Sequence, residues 1–276
     1  MSRFSIGSAE VGGRRPLLIA GPCVVEGRRM LEDSAAFLAE LSRRLDWPLV
    51  FKASFLKDNR LSVDSFRGLD PQEALGMIGE VAQGAGLPSI TDIHQVEDAA
   101  RAAEVVDALQ IPAFLCRQSS LLEAAGATGL PVNIKRGQFL SPSDLPFSAE
   151  KVRRAGSDRI LLTERGSSFG YRDLMVDFRS FPTMRHSGHP VLFDLTHSQQ
   201  QPGAAGGSTG GSREHVLPMA RAALAMGVDG FFLEVHPDPE NALSDSTTQL
   251  DFKQAEELLE NLETLASAME AGNALP

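Results

Sequence analysis

Short apolar runs recur along the whole chain, and a longer amphipathic stretch separates each run from the next. The runs are rich in Val, Ile, Leu and Phe, and they are Leu17–Ala20, Leu49–Ser54, Ser89–His94, Ala108–Ala113, Val132–Lys135, Ile160–Glu164, Val191–Thr196 and Phe231–His236. Runs of this kind predict strands that are buried on both faces, as in parallel sheets. Eight strand–helix units in 276 residues predict one (β/α)8 TIM barrel over 1–276.

The stretches between the runs predict the helices of that barrel. Apolar spacing favours helices over Leu31–Leu45, Pro71–Ala85, Ser119–Ala127 and Arg213–Met226. Ser141 is predicted to cap a further helix that has Pro142 at its first position. Gly86 and Gly129 stand where a glycine commonly ends a helix. A doubly wound open sheet is the alternative, but no Gly-x-Gly-x-x-Gly motif opens a first helix.

Composition narrows the class of function. The net charge of −10 disfavours binding to nucleic acid or to an anionic membrane, because both need a basic surface. No stretch is apolar for long enough to span a bilayer, and the first residues lack the apolar core of a signal peptide. Two cysteines are too few for a disulfide framework. We therefore expect a cytoplasmic enzyme or binding protein.

Polar side chains end or closely follow every apolar run. They are Cys23, Lys52, Lys57, Asp92, His94, Gln110, Arg117, Lys135, Glu164, Arg165, Asp194, His197, Glu234 and His236. A TIM barrel places its active site at the carboxyl ends of the strands. The sequence therefore predicts one site at that end of the barrel, although any one of these residues alone is more commonly an ordinary polar residue.

Two groups of polar residues, which add Arg60 and Asp245 to those at the strand ends, suggest specific ligands. Six cations surround the predicted site in an acidic protein, namely Lys52, Lys57, Arg60, Arg117, Lys135 and Arg165. They favour a substrate with at least two anionic groups, such as a phosphorylated compound, unless neighbouring carboxylates neutralise them. Cys23, His197, Glu234 and Asp245 offer sulfur, nitrogen and oxygen donors for Zn²⁺, Fe²⁺ or Mn²⁺. Their spacing is no signature, and the alternative is that Cys23 is a small buried apolar residue.

A series of motifs carries a family resemblance. In chain order they are Ala20–Cys23, Phe51–Phe55, Lys57–Arg60, Thr91–His94, Gln110–Phe114, Arg117–Gln118, Asn133–Lys135, Glu164–Gly166, Phe169–Tyr171, Asp194–His197 and Glu234–Pro239. From Leu17 to Leu265 the chain resembles the 3-deoxy-D-manno-octulosonate 8-phosphate synthases. The resemblance implies a homotetramer that condenses phosphoenolpyruvate with arabinose 5-phosphate and releases phosphate, for lipopolysaccharide synthesis.

The resemblance also implies a metal centre. Family members with Asn at the position of Cys23 work without metal, whereas members with Cys belong to the metal-dependent class. The implied ligands of a divalent Fe²⁺, Zn²⁺ or Mn²⁺ ion are Cys23, His197, Glu234 and Asp245. The ion would polarise the aldehyde or activate water, and His197 has proton relay as its alternative role.

The same resemblance implies the substrate contacts. Lys57, Lys135 and Arg165 would hold the phosphate and carboxylate of phosphoenolpyruvate, with Lys52 and Gln110 beside them. Lys57, Lys135 and His197 are the candidate catalytic residues. Asn59 and Arg60 would bind arabinose 5-phosphate, and Arg117 would reach its phosphate from a neighbouring subunit.

Segment 202–211 matches a flexible loop over the active site. It contributes Thr209 as a substrate-binding residue where the family usually has Ser. The chain also departs from the family at Asp58 and Leu61, where Ala and Ser are common. The second departure puts a serine contact near the sugar phosphate in question.

Two alternative functions differ in testable ways. A 3-deoxy-D-arabino-heptulosonate 7-phosphate synthase shares the Gly-Pro-Cys start and the metal ligands, but that family usually carries Lys-Pro-Arg-Thr where this chain has Lys57–Arg60. Asn59 therefore favours arabinose 5-phosphate over erythrose 4-phosphate as the acceptor. A non-catalytic phosphosugar-binding barrel would be expected to have lost ligands or lysines, and none of the named positions is lost.

Overall fold

The computed structural model describes residues 2–59, 62–171, 173–205 and 208–273. In chain order the strands are β1 (Phe4–Ile6), β2 (Ala9–Val11), β3 (Leu17–Gly21), β4 (Leu49–Lys52), β5 (Ser89–Asp92), β6 (Ala108–Ile111), β7 (Val132–Lys135), β8 (Ile160–Glu164), β9 (Ser167–Phe169), β10 (Asp173–Met175), β11 (Val191–Asp194), β12 (Gln200–Ala205), β13 (Ser208–Gly211) and β14 (Gly230–Glu234). Eight of them, β3 to β8 with β11 and β14, form a closed parallel barrel. The predicted TIM barrel is therefore confirmed.

Helices surround the barrel. They are α1 (Arg28–Leu45), α2 (Pro71–Gly84), α3 (Val96–Ala103), α4 (Ser119–Ala127), α5 (Leu145–Ala155), α6 (Ser180–Arg185), α7 (Val216–Ala225) and α8 (Phe252–Asn273). Gly86 and Gly129 follow α2 and α4 with φ of 70° and 72°, so the two predicted helix ends are confirmed. None of the helices in these described residues is long and apolar enough to cross a membrane.

Two predicted helix starts are wrong. The segment from Ser141 forms a turn, in which Asp144 N donates to Ser141 O at 3.0 Å, and α5 begins at Leu145 with Asp144 as its N-cap. The predicted helix from Arg213 begins as a 3₁₀ turn over Arg213–His215, and α7 starts at Val216. In both cases local backbone hydrogen bonds form a tighter turn before the helix, which apolar spacing does not reveal.

The core has two layers because successive strand residues point to opposite faces. Outward residues such as Val132, Ile134, Ile160 and Leu162 pack with the helices in a large outer cluster. Inward residues fill the amino-terminal half of the barrel in a smaller cluster, which includes Leu17, Ile19, Val50, Ile90, Ala108, Leu161, Leu192 and Phe232. The carboxyl half is left for polar side chains.

An amino-terminal hairpin closes the opposite end of the barrel. Strands β1 and β2 pair in antiparallel register, with Phe4 opposite Val11. Ile6, Ala9 and Val11 are buried and belong to the inner cluster of the barrel. This hairpin is not predictable from the sequence pattern, because its apolar positions are few and alternate over only three residues in each strand.

The hairpin should contribute stability without contributing to the site. We expect Ile6→Ala to lower the free energy of unfolding by about 2–5 kcal/mol, because it leaves a cavity against the fully buried barrel interior. Ser5→Ala, at an exposed position of the same strand, is the control and should change little. Urea unfolding of both variants measures the difference, and equal stabilities would contradict the packing role of Ile6.

Candidate functional site at the carboxyl ends of the strands

The first two barrel strands approach each other closely at the site end. A Cβ atom on Gly21 would lie 2.0 Å from the carbonyl oxygen of Lys52, so no side chain fits at this position. Pro22 and Cys23 follow Gly21. The chain after them stays beside the segment that follows β4, because Val25 N donates to Ser54 O at 3.0 Å. The Gly-Pro-Cys sequence thus lies at the carboxyl end of β3, and the Cys23 side chain is completely buried there.

Two buried lysines lie in the lumen, each paired with a carboxylate. Lys52 Nζ donates to Glu234 Oε1 at 3.2 Å and to Cys23 O at 3.0 Å. Lys135 Nζ donates to Asp194 Oδ2 at 2.6 Å and lies 3.5 Å from the centroid of the Phe232 ring. Burial lowers the pKa of Lys135, and Asp194 opposes that effect. Each lysine therefore has a carboxylate partner and lies in the barrel lumen, where its ammonium group can also bind an anion.

Asp194 orients His197. It accepts from His197 N at 2.9 Å, and its Oδ2 lies 2.8 Å from His197 Nδ1. Burial would raise the pKa of Asp194, but the charges of His197 and Lys135 hold it well below its usual range. The contact with Asp194 fixes the orientation of the ring, so that Nδ1 faces this carboxylate and Nε2 points away from it. Nε2 faces Glu234 Oε1 at 3.4 Å and Asp245 Oδ2 at 3.7 Å.

Three potential metal ligands form a compact cluster. One donor atom from each of Cys23, Glu234 and Asp245 lies within 4.8 Å of the other two. Burial raises the pKa of the Cys23 thiol, and the charges of Asp245 and Glu234 raise it further. Burial also opposes the charge on Glu234, but His197 and Lys52 outweigh it and lower its pKa to about 2. Within the described part of the chain, the buried Glu234 Oε2 has no hydrogen-bond partner.

A cation fits these donors. A bound divalent ion would favour the thiolate that burial and the two carboxylates disfavour, and it would give Glu234 Oε2 a partner. The contact between His197 Nδ1 and the Asp194 carboxylate is the arrangement that metal-binding histidines commonly have. His197 lies beside the three-residue cluster, with Nε2 directed at its two carboxylates.

Gln249 joins the segment of Cys23 to the segment of Ser244 and Asp245, and sequence reasoning missed it. Its Oε1 accepts from Cys23 N at 3.0 Å, and its Nε2 donates to Ser244 O at 2.7 Å. Cys23 Sγ lies 2.9 Å from Ser244 Oγ and 3.4 Å from Asp245 Oδ2. Asp245 has a φ of 47°, which is costly for a residue other than glycine. No spacing in the sequence announces this contact, because its partners are 226 residues apart.

Arg165 and Gln110 are two further buried residues at the strand ends. Arg165 Nη2 donates to Gln200 Oε1 at 2.7 Å, and Gln200 Nε2 donates to Asp245 Oδ2 at 3.2 Å. Arg165 Nη1 is buried and has no hydrogen-bond partner among the residues described. Gln110 Oε1 accepts from Asn133 Nδ2 at 3.0 Å. The free guanidinium nitrogen is therefore available to an anionic ligand.

Lys57 and Asp92 are electrostatically coupled at the same end of the barrel. Burial opposes the charge on Lys57, but Cys23, Asp92, Glu234 and Asp245 together raise its pKa. Burial likewise opposes the charge on Asp92, but Lys57 holds its pKa well below the usual range. Asp92 Oδ2 also lies 3.2 Å from His94 Nε2.

The remaining predicted residues are exposed or lie outside the described part of the chain. Asn59 and Arg117 are exposed, Asn59 in the loop after β4 and Arg117 near the 3₁₀ turn that follows β6. Arg60 and the side chain of Thr209 lie outside the described residues. Strands β12 and β13 pair as an antiparallel hairpin in the region of 202–211. The flexibility predicted for that segment stays a prediction.

Comparisons with known proteins agree with one another. The sequence profile of the DAHP synthetase I family matches residues 5–271. The chain is 49% identical over 261 residues to a 2-dehydro-3-deoxyphosphooctonate aldolase of Pelobacter propionicus, covering 94% of this chain and 96% of the relative. Proteins with the same name from Desulfatibacillum aliphaticivorans and Geobacter metallireducens are each 50% identical. They cover 96% and 95% of this chain, and 98% and 97% of their own lengths.

Proposed function

The chain belongs to the DAHP synthetase I family, and on that premise we propose that it is a 2-dehydro-3-deoxyphosphooctonate aldolase. In the direction of synthesis it condenses phosphoenolpyruvate with arabinose 5-phosphate and water, and it yields 3-deoxy-D-manno-octulosonate 8-phosphate and phosphate. The observation that carries this conclusion is the identity of about one half over nearly the whole chain to relatives of that name. This function is favoured over the heptulosonate synthase alternative and serves lipopolysaccharide synthesis.

The cations at the strand ends account for the binding of phosphoenolpyruvate. Lys135 and Arg165 hold its phosphate and carboxylate together with Lys57, and Lys52 and Gln110 lie beside them. Placing C3 of phosphoenolpyruvate against the aldehyde carbon makes the bond-forming step effectively intramolecular. Water then adds at C2, and the resulting hemiketal phosphate loses phosphate. The buried cations neutralise the anionic groups throughout these steps.

A divalent metal is part of this proposal, with Fe²⁺, Zn²⁺ or Mn²⁺ as candidates. Cys23, Glu234 and Asp245 would hold it, with His197 Nε2 as the fourth donor. When bound, such an ion supplies Lewis-acid polarisation of an oxygen atom or lowers the pKa of water. The close approach of the three donors and the orphaned Glu234 Oε2 support the assignment.

The acceptor side of the site lies in the loop after β4 and extends to a neighbouring subunit. Asn59 and Arg60 bind arabinose 5-phosphate, Thr209 contributes from the 202–211 loop, and Arg117 reaches its phosphate from another copy of the chain. The exposed position of Arg117 is compatible with a role across a subunit boundary. Exposed aromatic side chains in the segments that follow β6, β7 and β8 support a homotetramer, and they are Phe114, Phe139, Phe147 at the start of α5, Phe169 at the end of β9, and Tyr171. A cytoplasmic location stays a prediction.

Replacement of one of these exposed aromatic residues should change the assembly. We expect Phe139→Asp to convert the tetramer to smaller species, because Phe139 is 59% exposed and a carboxylate would be desolvated in a packed interface. Met226→Asp, at the C-cap of α7, is the matched control because Met226 is a 39% exposed apolar residue and does not belong to the segments that follow β6, β7 and β8. Light scattering after size-exclusion chromatography gives the masses. A tetramer that survives Phe139→Asp would argue against this interface.

The activity itself is tested with two acceptors. We expect the protein to consume phosphoenolpyruvate and release phosphate with arabinose 5-phosphate, and to do so poorly with erythrose 4-phosphate. Mass spectrometry should identify an eight-carbon monophosphate product. Turnover with erythrose 4-phosphate alone would favour the heptulosonate synthase alternative. Binding of phosphoenolpyruvate without turnover of either acceptor would favour the non-catalytic barrel.

A further inference from the structure

A completely buried ion pair lies at the carboxyl ends of β7 and β8, next to Lys135 and Arg165 in the sequence. Arg136 and Glu164 have relative exposures of 1% and 0%. Arg136 Nε donates to Glu164 Oε2 at 2.7 Å, and Arg136 Nη2 donates to Glu164 Oε1, so the contact is bidentate. Arg136 belongs to none of the groups of site residues predicted from the sequence.

The alternation of side chains places this pair on the outer face of the barrel. Val132 and Ile134 of β7, and Ile160 and Leu162 of β8, all point into the outer cluster. Arg136 and Glu164 continue those two series, two residues after Ile134 and Leu162. Lys135, by contrast, contacts the inner Phe232 ring. The pair therefore joins the outer side of two strand ends whose neighbouring residues face the site.

Each member of the pair also fixes the backbone next to an inward cation. Arg136 N donates to Thr163 O at 2.8 Å, and Arg136 Nη1 donates to Gly137 O at 3.2 Å and to Leu140 O. Glu164 Oε1 accepts from Arg165 N at 3.0 Å and from Gly166 N at 2.7 Å. Gly166 has a φ of 92°, so the carboxylate closes a turn that glycine favours directly after Arg165.

We propose that Arg136 and Glu164 are positioning residues, which hold Lys135 and Arg165 at the separation required by the two anionic groups of phosphoenolpyruvate; this rests on the function proposed above. The pair neutralises itself, so it adds no net charge to the site. The planar, bidentate contact instead restrains the carboxyl ends of β7 and β8 relative to each other. A lysine in place of Arg136 would keep the charge and lose the paired contact.

The test separates positioning from general stability. Removing one partner alone would leave a buried unpaired charge, so the main variant is Arg136→Met/Glu164→Gln, in which the amide oxygen still accepts from Arg165 N and Gly166 N. We expect KM and the calorimetric Kd for phosphoenolpyruvate to rise roughly 10- to 100-fold, as when supporting contacts of a site are lost. The kcat at saturating phosphoenolpyruvate and the KM for arabinose 5-phosphate should change much less. Arg136→Lys should recover part of the affinity.

Leu259→Ala in α8 is the stability control, because Leu259 is buried and belongs to the outer cluster. It should lower the Tm and leave the Kd for phosphoenolpyruvate unchanged. An unchanged Kd in the folded double variant would overturn the proposal, and if that variant does not fold, an unchanged Kd in Arg136→Lys would do so. Wild-type protein that binds phosphoenolpyruvate without turnover overturns only the proposed function. Wild-type protein that does not bind it overturns both.

Discussion

Removal of metal by a chelator is expected to lower phosphoenolpyruvate turnover by roughly 100-fold or more, and added Mn²⁺ or Zn²⁺ should restore it. The physical reason lies in the donor cluster. Cys23, Glu234 and Asp245 place one sulfur and two carboxylate oxygens within 4.8 Å of one another, so removal of the ion that they would hold takes the Lewis acid away from the site. Assays of untreated, stripped and reloaded protein with arabinose 5-phosphate measure the effect.

Two cysteine variants sharpen this test. Cys23→Asn should bind metal weakly and retain some activity with less need of metal, because an amide is a poor ligand but fits the same space. Cys116→Ser is the control, since Cys116 is also a buried free cysteine but is not one of the three clustered donors. Its chelator sensitivity should match that of the wild type.

Activity of the wild type that survives complete stripping would assign Cys23, His197, Glu234 and Asp245 to other roles. Complete inactivity of folded Cys23→Asn that still binds phosphoenolpyruvate would count against the variant's predicted behaviour.

Replacement of Lys135 by methionine should lower kcat/KM by roughly 100- to 1000-fold, the usual cost of losing a charged donor in a buried site. The Lys135 ammonium group is buried beside Phe232 and paired with Asp194. Methionine keeps most of the volume and removes the charge that faces an anionic substrate. The substitution also removes one of the cations that keep the pKa of Asp194 low. Steady-state kinetics with phosphoenolpyruvate as the varied substrate measure the loss.

The matched control for this variant is Lys151→Met. Lys151 lies on α5 in the outer helical layer, where its Nζ donates to Ser119 Oγ at 2.8 Å. Both variants should show the circular dichroism of the wild type, and Lys151→Met should keep its kinetics. If folded Lys135→Met kept the wild-type kcat/KM, Lys135 would have no part in binding or catalysis.

Much of the fold followed from pattern alone. The apolar runs Val132–Lys135 and Ile160–Glu164 coincide with β7 and β8, because strands buried on both faces are rich in apolar residues, with polar residues toward the end that carries the site. Runs such as Leu49–Ser54 continue beyond β4, since the chain stays buried after it leaves the ladder. Helix starts were less predictable, as Ser141 shows, because a turn and a first helical turn need similar residues.

The site was predicted only in part, and the reason is sequence distance. Cys23, Lys52, Lys135, His197 and Glu234 were predicted to converge because each ends or follows a strand, and the barrel brings strand ends together. Asp194 is also predicted at a strand end, but its contact with His197 Nδ1 cannot be predicted from the sequence because it depends on the folded positions of both side chains. The roles of Gln249 and Phe232 had no signal in the sequence.

The sequence by itself determined the barrel, the end of the barrel that carries the polar residues and the identity of the potential ligands, since these depend on local periodicity and residue chemistry. Tertiary structure alone decided which charges pair, which nitrogen of His197 faces the cluster and how Arg136 and Glu164 lie behind Lys135 and Arg165. Such contacts join residues from different strands, and only closure of the barrel sets their distances.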